Sequence, residues 1–364
     1  MRPLLLATLG SLTIGCTGNP AARSTDAPIR LQTELVLDMA LGTDDSVVIG
    51  DLSHATRLDD GRIVAFDGDA MALVFFDSVG AVLHRSGRAG EGPGEFQNPD
   101  WVKTCNADSL FTYDASLRRV AVFDAQGAFV RQFTLPMAQP FRFGCNGHGT
   151  LAAIDASAIP FGPPSPGVEP PQLRGNLVIF NAAGDSVGGI ADLRIGQSRV
   201  LGPLASLYMT RNELVVGVSD SNLFRRYDFT GTPMGTDTFP VTARPLTDSL
   251  YNAELDRMSG FGSADTQMQA RIRQMLAAAP KLPVLPLYQE VHVTREGVMW
   301  LVTSISVDPT TTLVGRHPDG MLYALTLPAR FQVFEIGNDY VLGQGSDADG
   351  GERLVMYGFD PLDR

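Results

Sequence analysis

Short runs in which apolar and polar positions alternate fill most of this chain, and clusters of turn-forming residues cut them at repeating intervals. Alternation with a period of two marks half-buried strands, and strands this short with turns this frequent make an all-β chain. One kind of turn recurs at Asp59-Asp60-Gly61, Ala107-Asp108, Gly147-His148-Gly149, Arg211-Asn212, Arg295-Glu296-Gly297 and Gly337-Asn338-Asp339. An apolar strand follows each, such as Ile63-Val64-Ala65-Phe66 or Val298-Met299-Trp300-Leu301-Val302. A second kind recurs at Phe76–Gly80, Phe123–Gly127, Phe180–Gly184, Asp228–Gly231 and His317–Gly320. Asp, Asn and Gly suit such tight hairpins because they tolerate φ > 0. Six copies of the first turn and five of the second predict six repeat units of four strands. The last unit stops at Tyr357-Gly358-Phe359-Asp360-Pro361 without a fourth strand, whereas Leu31 to Leu41 (LQTELVLDMAL) is an orphan alternating strand near the N-terminus. Pairing it with the third strand of the last unit is expected to close a ring and remove an exposed edge.

The stretch Gly87–Val102, GRAGEGPGEFQNPDWV, joins two such units. Its glycines and Pro93 forbid both helix and strand, so it reads as a tight crossover between units. The following unit runs from Trp101–Thr104 through Asp108–Asp114 and Arg118–Asp124 to Gly127–Phe133. Together, the crossover and this unit resemble the NHL repeats of bacterial (TolB-like) six-bladed β-propellers. The resemblance spans about residues 31 to 361 and is strongest over 60 to 133. It implies an all-β, six-bladed β-propeller in one domain, residues 31–364. Such propellers include scaffolds, ligand sensors and enzymes, so the fold alone does not decide the function.

Two segments break the repeat. Ile159–Leu173 is too rich in proline for a sheet and reads as a long loop in the third blade. Residues 245–285, between blades four and five, predict two helices, one capped by Thr247 and reaching Arg257, the other Ala264–Ala279. The second places Met268, Ile272, Met275 and Leu276 on one face, as expected of a helical hairpin packed against the side or rim of the propeller; the alternative is a lid or a partner-docking arm.

Net charge is −12 over 364 residues, which argues against nucleic acid or anionic lipid as the main partner. Residues 1–15 read as a signal peptide: Arg2, a short apolar run Leu4–Leu12, then Thr13-Ile14-Gly15 before Cys16. The small residue before cysteine resembles a bacterial lipoprotein signal, with Thr13 departing from the usual leucine, and implies lipidation at Cys16. Residues 16–30 form a polar tether, and the address is the cell envelope. Cys105 and Cys145, equivalent positions of consecutive blades, are expected to form a disulfide in that oxidising compartment.

No catalytic signature stands out. His54, His84, His148, His292 and His317 lack metal-ligand spacing, although His54 and His292 fall on predicted innermost strands and can reach the channel. Inner strands begin on one face, with the crossovers, and there Trp101, Lys103, Asp114, Arg118, Arg142, Tyr288, Glu290 and His292 are the expected ligand-binding residues. Arg119, by contrast, is expected to bridge strands within its own blade. The reading is a monomeric, non-catalytic binding or scaffold protein, without cofactor, recognising an envelope protein, peptide or glycan. The alternative is a metal-dependent, lactonase-like propeller hydrolase or lyase with its site at the channel mouth.

Overall fold

A computed structural model describes residues 27–28, 31, 33–36, 49–106, 109–137, 140–156, 166–260, 265–346 and 352–362. Cys16 and residues 159–165 of the proline-rich loop of blade three lie outside them. The described residues form six antiparallel sheets in chain order, each with its first strand innermost, as a six-bladed β-propeller. The innermost strands are Leu52–Arg57, Pro99–Asn106, Pro140–Cys145, Ala205–Met209, Glu290–Val293 and Gln332–Ile336, for blades one to six. Thr33–Val36 completes blade six as its outer strand, antiparallel to Glu352–Gly358 in the register Thr33↔Gly358 to Val36↔Val355. This is the expected ring closure. A further pairing was not legible: Ala27–Pro28 add in parallel to the outer strand of blade five, against Tyr323 and Ala324.

Six apolar layers hold the ring, one at each junction between neighbouring blades. Both faces of the middle strands are needed for this, so Ile63–Asp67, Ala72–Phe76 and Leu214–Val218 are buried throughout. Burial at about 25 cal/mol per Å² of apolar surface is the main stabilising term.

The outer hairpins repeat one device. Oδ1 of Asp77, Asp124, Asn181 and Asp228 accepts from the backbone N–H groups two and four residues on. A glycine with φ between +79° and +93° completes each turn, at positions 80, 127, 184 and 231. A carboxylate also fastens the crossover into blade two: Asp114 accepts from Leu117, Gln97 and Asn98 N–H.

Arg119 has a different task from the one expected. Its guanidinium leaves its own blade and donates to the carbonyls of Glu91, Gly92 and Glu95, at 2.8, 2.7 and 2.8 Å. The glycine-rich crossover is thereby wrapped around a buried cation, with the Glu95 carboxylate accepting from Gly92 N–H and pairing with Arg88. Phe96, at the end of the loop, is 1% exposed and packs between Phe66 of blade one and Phe123 of blade two. One blade further on, a disulfide joins Cys105 to Cys145, with Cα atoms 5.4 Å apart, and so ties the inner strands of blades two and three.

Helices α1 (Asp248–Gly260) and α2 (Thr266–Leu276) lie between blades four and five. The Thr247 hydroxyl caps α1 by accepting from Leu250 N–H, and Leu255 anchors the helix in the fold. α2 departs from expectation. No residue of it is buried, and Met268 and Met275 stay 44% and 43% exposed. Arg273 fixes it to α1 instead, through Asp256 and Asn252. The chain leaving α2 meets the end of the blade-three loop: Gly167 N–H donates to Ala278 C=O, and Arg199 pairs with Glu169 and donates to Pro280 C=O. The two insertions thus form one ridge on the crossover face.

Candidate functional site

The inner strands surround a central channel of about 900 Å³. Its lining includes Trp101, Lys103, Arg142, Glu290 and His292 of the expected site residues, together with His54, Asp100 and Gln289. Asp100 and Gln289 had no signal beyond their position at strand starts. The other three expected residues are not among the channel-lining groups. Asp114 is buried in its structural turn, Arg118 is exposed at φ +48° in the same turn, and Tyr288 is fully buried against Phe224. Tyr288 goes inside because its ring fills the junction of blades four and five.

Strand geometry explains the convergence. Residues near the start of each inner strand reach the same depth, so His54 from blade one, Asp100 from blade two, Arg142 from blade three and Glu290 with His292 from blade five gather at the crossover-side mouth. Their charges act on one another. Burial pulls the Arg142 guanidinium below its ordinary value, opposed by Glu290 and Asp100. Asp100 is pushed up by burial, with Arg142 opposing. For Glu290, burial acts upward, but the His292 hydrogen bond (3.2 Å) and the charges of His292, Arg142 and His54 together outweigh it and hold the carboxylate low. Burial lowers His54 to about 4, with Glu290 resisting. Glu290 nonetheless keeps 48% of its side-chain surface open, because protein surrounds it across an open channel rather than covering it. The mouth is therefore accessible and electrically strained at once, the combination found at sites that bind or react.

Aromatic faces complete it. Trp101 stacks on Phe143 at 5.3 Å, and the Arg142 guanidinium lies 4.4 Å over the Phe141 ring. At the opposite mouth Arg57 pairs with Asp339 and lies over the Tyr340 ring, and Arg295 pairs with Asp59. Between the two mouths, Thr56 donates to Glu335 at 2.5 Å and bonds Thr104, so blades six, one and two share one polar chain. Among the described residues, no three His, Cys, Asp or Glu side chains gather as a metal-binding group. No helix among them is long and apolar enough to cross a membrane.

With this geometry in place, comparison with known proteins adds the class. Residues 35–149 match the family DUF5128, a 6-bladed beta-propeller. No curated protein matches the sequence. Among solved structures, a candidate exported protein of Bacteroides fragilis is 14% identical, with TM-score 0.55, over 92% of this chain and 96% of its own. A DUF4221 member from Bacteroides vulgatus is 9% identical, with TM-score 0.50, over 91% of this chain and 97% of its own. A streptogramin B lyase is 11% identical, with TM-score 0.48, over 90% and 97%. Likeness at such identities shows the fold alone. The chain is a six-bladed β-propeller.

Proposed function

We propose that this chain is an extracytoplasmic, lipid-anchored binding protein, and that the crossover-side channel mouth takes a polar ligand, free or displayed by an envelope protein, peptide or glycan. The observation that carries the reading is the convergence of Arg142, Glu290, His54, His292 and Asp100 from four blades on one open channel. Apolar junctions already hold the ring, and desolvated charge costs stability unless it is paired. A costly cluster that the fold does not require is best explained by a ligand.

The Cys105–Cys145 disulfide and the leader ending at Cys16 support an oxidising compartment, in keeping with a neighbour that is itself a candidate exported protein. Ala27–Pro28 pair near the start of the outer strand of blade five, beside the hairpin turn. The metal-dependent hydrolase or lyase reading finds no ligand set among the described residues.

Native mass spectrometry of the full chain, released from its own envelope in mild detergent, tests this. A small-molecule or peptide adduct is expected that leaves on collisional activation and is missing from the Arg142→Gln/Glu290→Gln variant. The bare chain in every preparation, or the same adduct on the variant, would count against the reading.

A further inference from the structure

We infer that the ligand of the channel mouth carries a carboxylate, that Arg142 is its main partner, and that Lys103 and the Gln289 amide complete the donor set. This rests on the mouth being a binding site and goes on to name the chemistry of what binds.

The argument is a balance of donors and acceptors. Arg142 donates Nε to the Ala205 carbonyl and Nη1 to the Phe141 carbonyl, both at 3.1 Å. Those bonds and the Phe141 ring fix the guanidinium plane while leaving Nη2 unassigned. Among the described residues, no carboxylate lies within ion-pair distance of Arg142, although Glu290 and Asp100 are near enough to shift it. Elsewhere Arg194 pairs with Asp220 and Arg174 with Asp192 in the groove between blades three and four, and Arg57 and Arg295 are paired at the opposite mouth, although Arg225 of that groove and Arg211 of that mouth have no ion pair among the described residues. Lys103 lines the channel and, among the described residues, has no ion pair either. Gln289 Nε2 is buried with no hydrogen-bond partner and lies in the same lining. On the acceptor side, Glu290 is already engaged by His292. Among the described residues, the mouth thus has N–H groups on Arg142, Lys103 and Gln289 that the oxygens of Asp100 and Glu290, in the same lining, do not receive. A buried donor left without an acceptor, as Gln289 Nε2 is, carries a desolvation cost that an incoming acceptor recovers.

A carboxylate fits this deficit better than a phosphate. Its two oxygens match the fork of a fixed guanidinium. It brings one negative charge, whereas a phosphate monoester brings closer to two, and Glu290 and Asp100 already place negative charge beside the site. A free organic acid and a peptide C-terminus share this chemistry.

Binding of the full chain is measured by isothermal titration calorimetry with four probes: propionate, the dipeptide Ala-Ala, its C-terminal amide, and inorganic phosphate. Saturable binding is expected from propionate if the source is a small acid, or from Ala-Ala if it is a peptide terminus. In either case the amide and phosphate should bind at least ten-fold more weakly. Arg142→Gln should weaken the active probe at least ten-fold and Arg142→Lys should fall between, because the ammonium keeps the charge but loses the fork. Lys103→Gln should weaken it a few-fold, and Arg225→Gln, in the groove between blades three and four, should leave it unchanged. Thermal melts establish that each variant is folded before it is titrated. The inference is overturned if neither carboxylate binds, if the amide or phosphate binds as well as the acid, or if folded Arg142→Gln binds like the parent. A ligand found by native mass spectrometry alongside such a failure would retain the binding reading and remove only the carboxylate.

Discussion

Replacing Phe96 by alanine is expected to destabilise the propeller by about 4 kcal/mol, a typical cost for truncating a buried aromatic. Phe96 belongs to a loop, and loop residues seldom matter this much. Its ring is 1% exposed, with centroids 5.2 Å from Phe66, edge to face, and 5.6 Å from Phe123, stacked. Those partners belong to different blades, so the ring is a wedge in the junction of blades one and two. A cavity left there closes poorly, because each partner is held by its own sheet. The crossover backbone is held separately by Arg119, which keeps the loop in place and the cavity open. Urea unfolding should show the loss in the midpoint. Val79→Ala, at a turn position 71% exposed, should change stability by no more than about 0.5 kcal/mol. A Phe96→Ala loss below about 1 kcal/mol would contradict the wedge.

The second large effect is a loss of stability in mild acid. His54 is held at about 4 in the folded protein against an ordinary 6.5, by burial, with Glu290 opposing. A histidine depressed on folding is protonated first in the unfolded chain, so the unfolded state binds more protons between those two values. Stability from this group is therefore complete above pH 6.5, declines as pH falls, and is fully lost near pH 4. At 1.36 kcal/mol per pKa unit, the loss is roughly 3 kcal/mol. Glu290, held below the ordinary carboxylate value, acts in the same direction at lower pH. Unfolding measured at intervals from pH 7.5 to 4 should show this slope, and His54→Gln should flatten it between pH 6.5 and 4. An unchanged slope in that variant would assign the acid sensitivity to other groups.

How much of this was legible follows from which features are local. The outer hairpins were readable because Asp77, Asp124, Asn181 and Asp228 each satisfy their own turn within four residues. The closing strand was readable because blade six lacked a fourth strand and an alternating segment was left over. The parallel addition of Ala27–Pro28 was not, since no periodicity marks a two-residue pairing with an edge 296 residues away in register. α2 showed its apolar stripe in sequence, but no residue of the stripe is buried, and the helix meets α1 through the polar contacts of Arg273 with Asp256 and Asn252. Strand starts brought out Arg142 and Glu290, which the structure places in the channel lining. Asp114 carried the same signal for another reason: a carboxylate before a crossover can serve the backbone as well as a ligand. Only the three-dimensional arrangement separates the two uses.

The central claim is that a ligand enters the crossover-side mouth, and the chain carries a natural reporter of it. There are two tryptophans. Trp300 is fully buried in blade five, whereas Trp101 is half-buried in the channel, stacked on Phe143. The most direct measurement is tryptophan fluorescence of the full chain during titration with fractionated envelope extract, alongside the Trp101→Phe variant. The account predicts a saturable change with at least one fraction and its disappearance in Trp101→Phe. A saturable change that persists in Trp101→Phe, or none with any fraction, would contradict it.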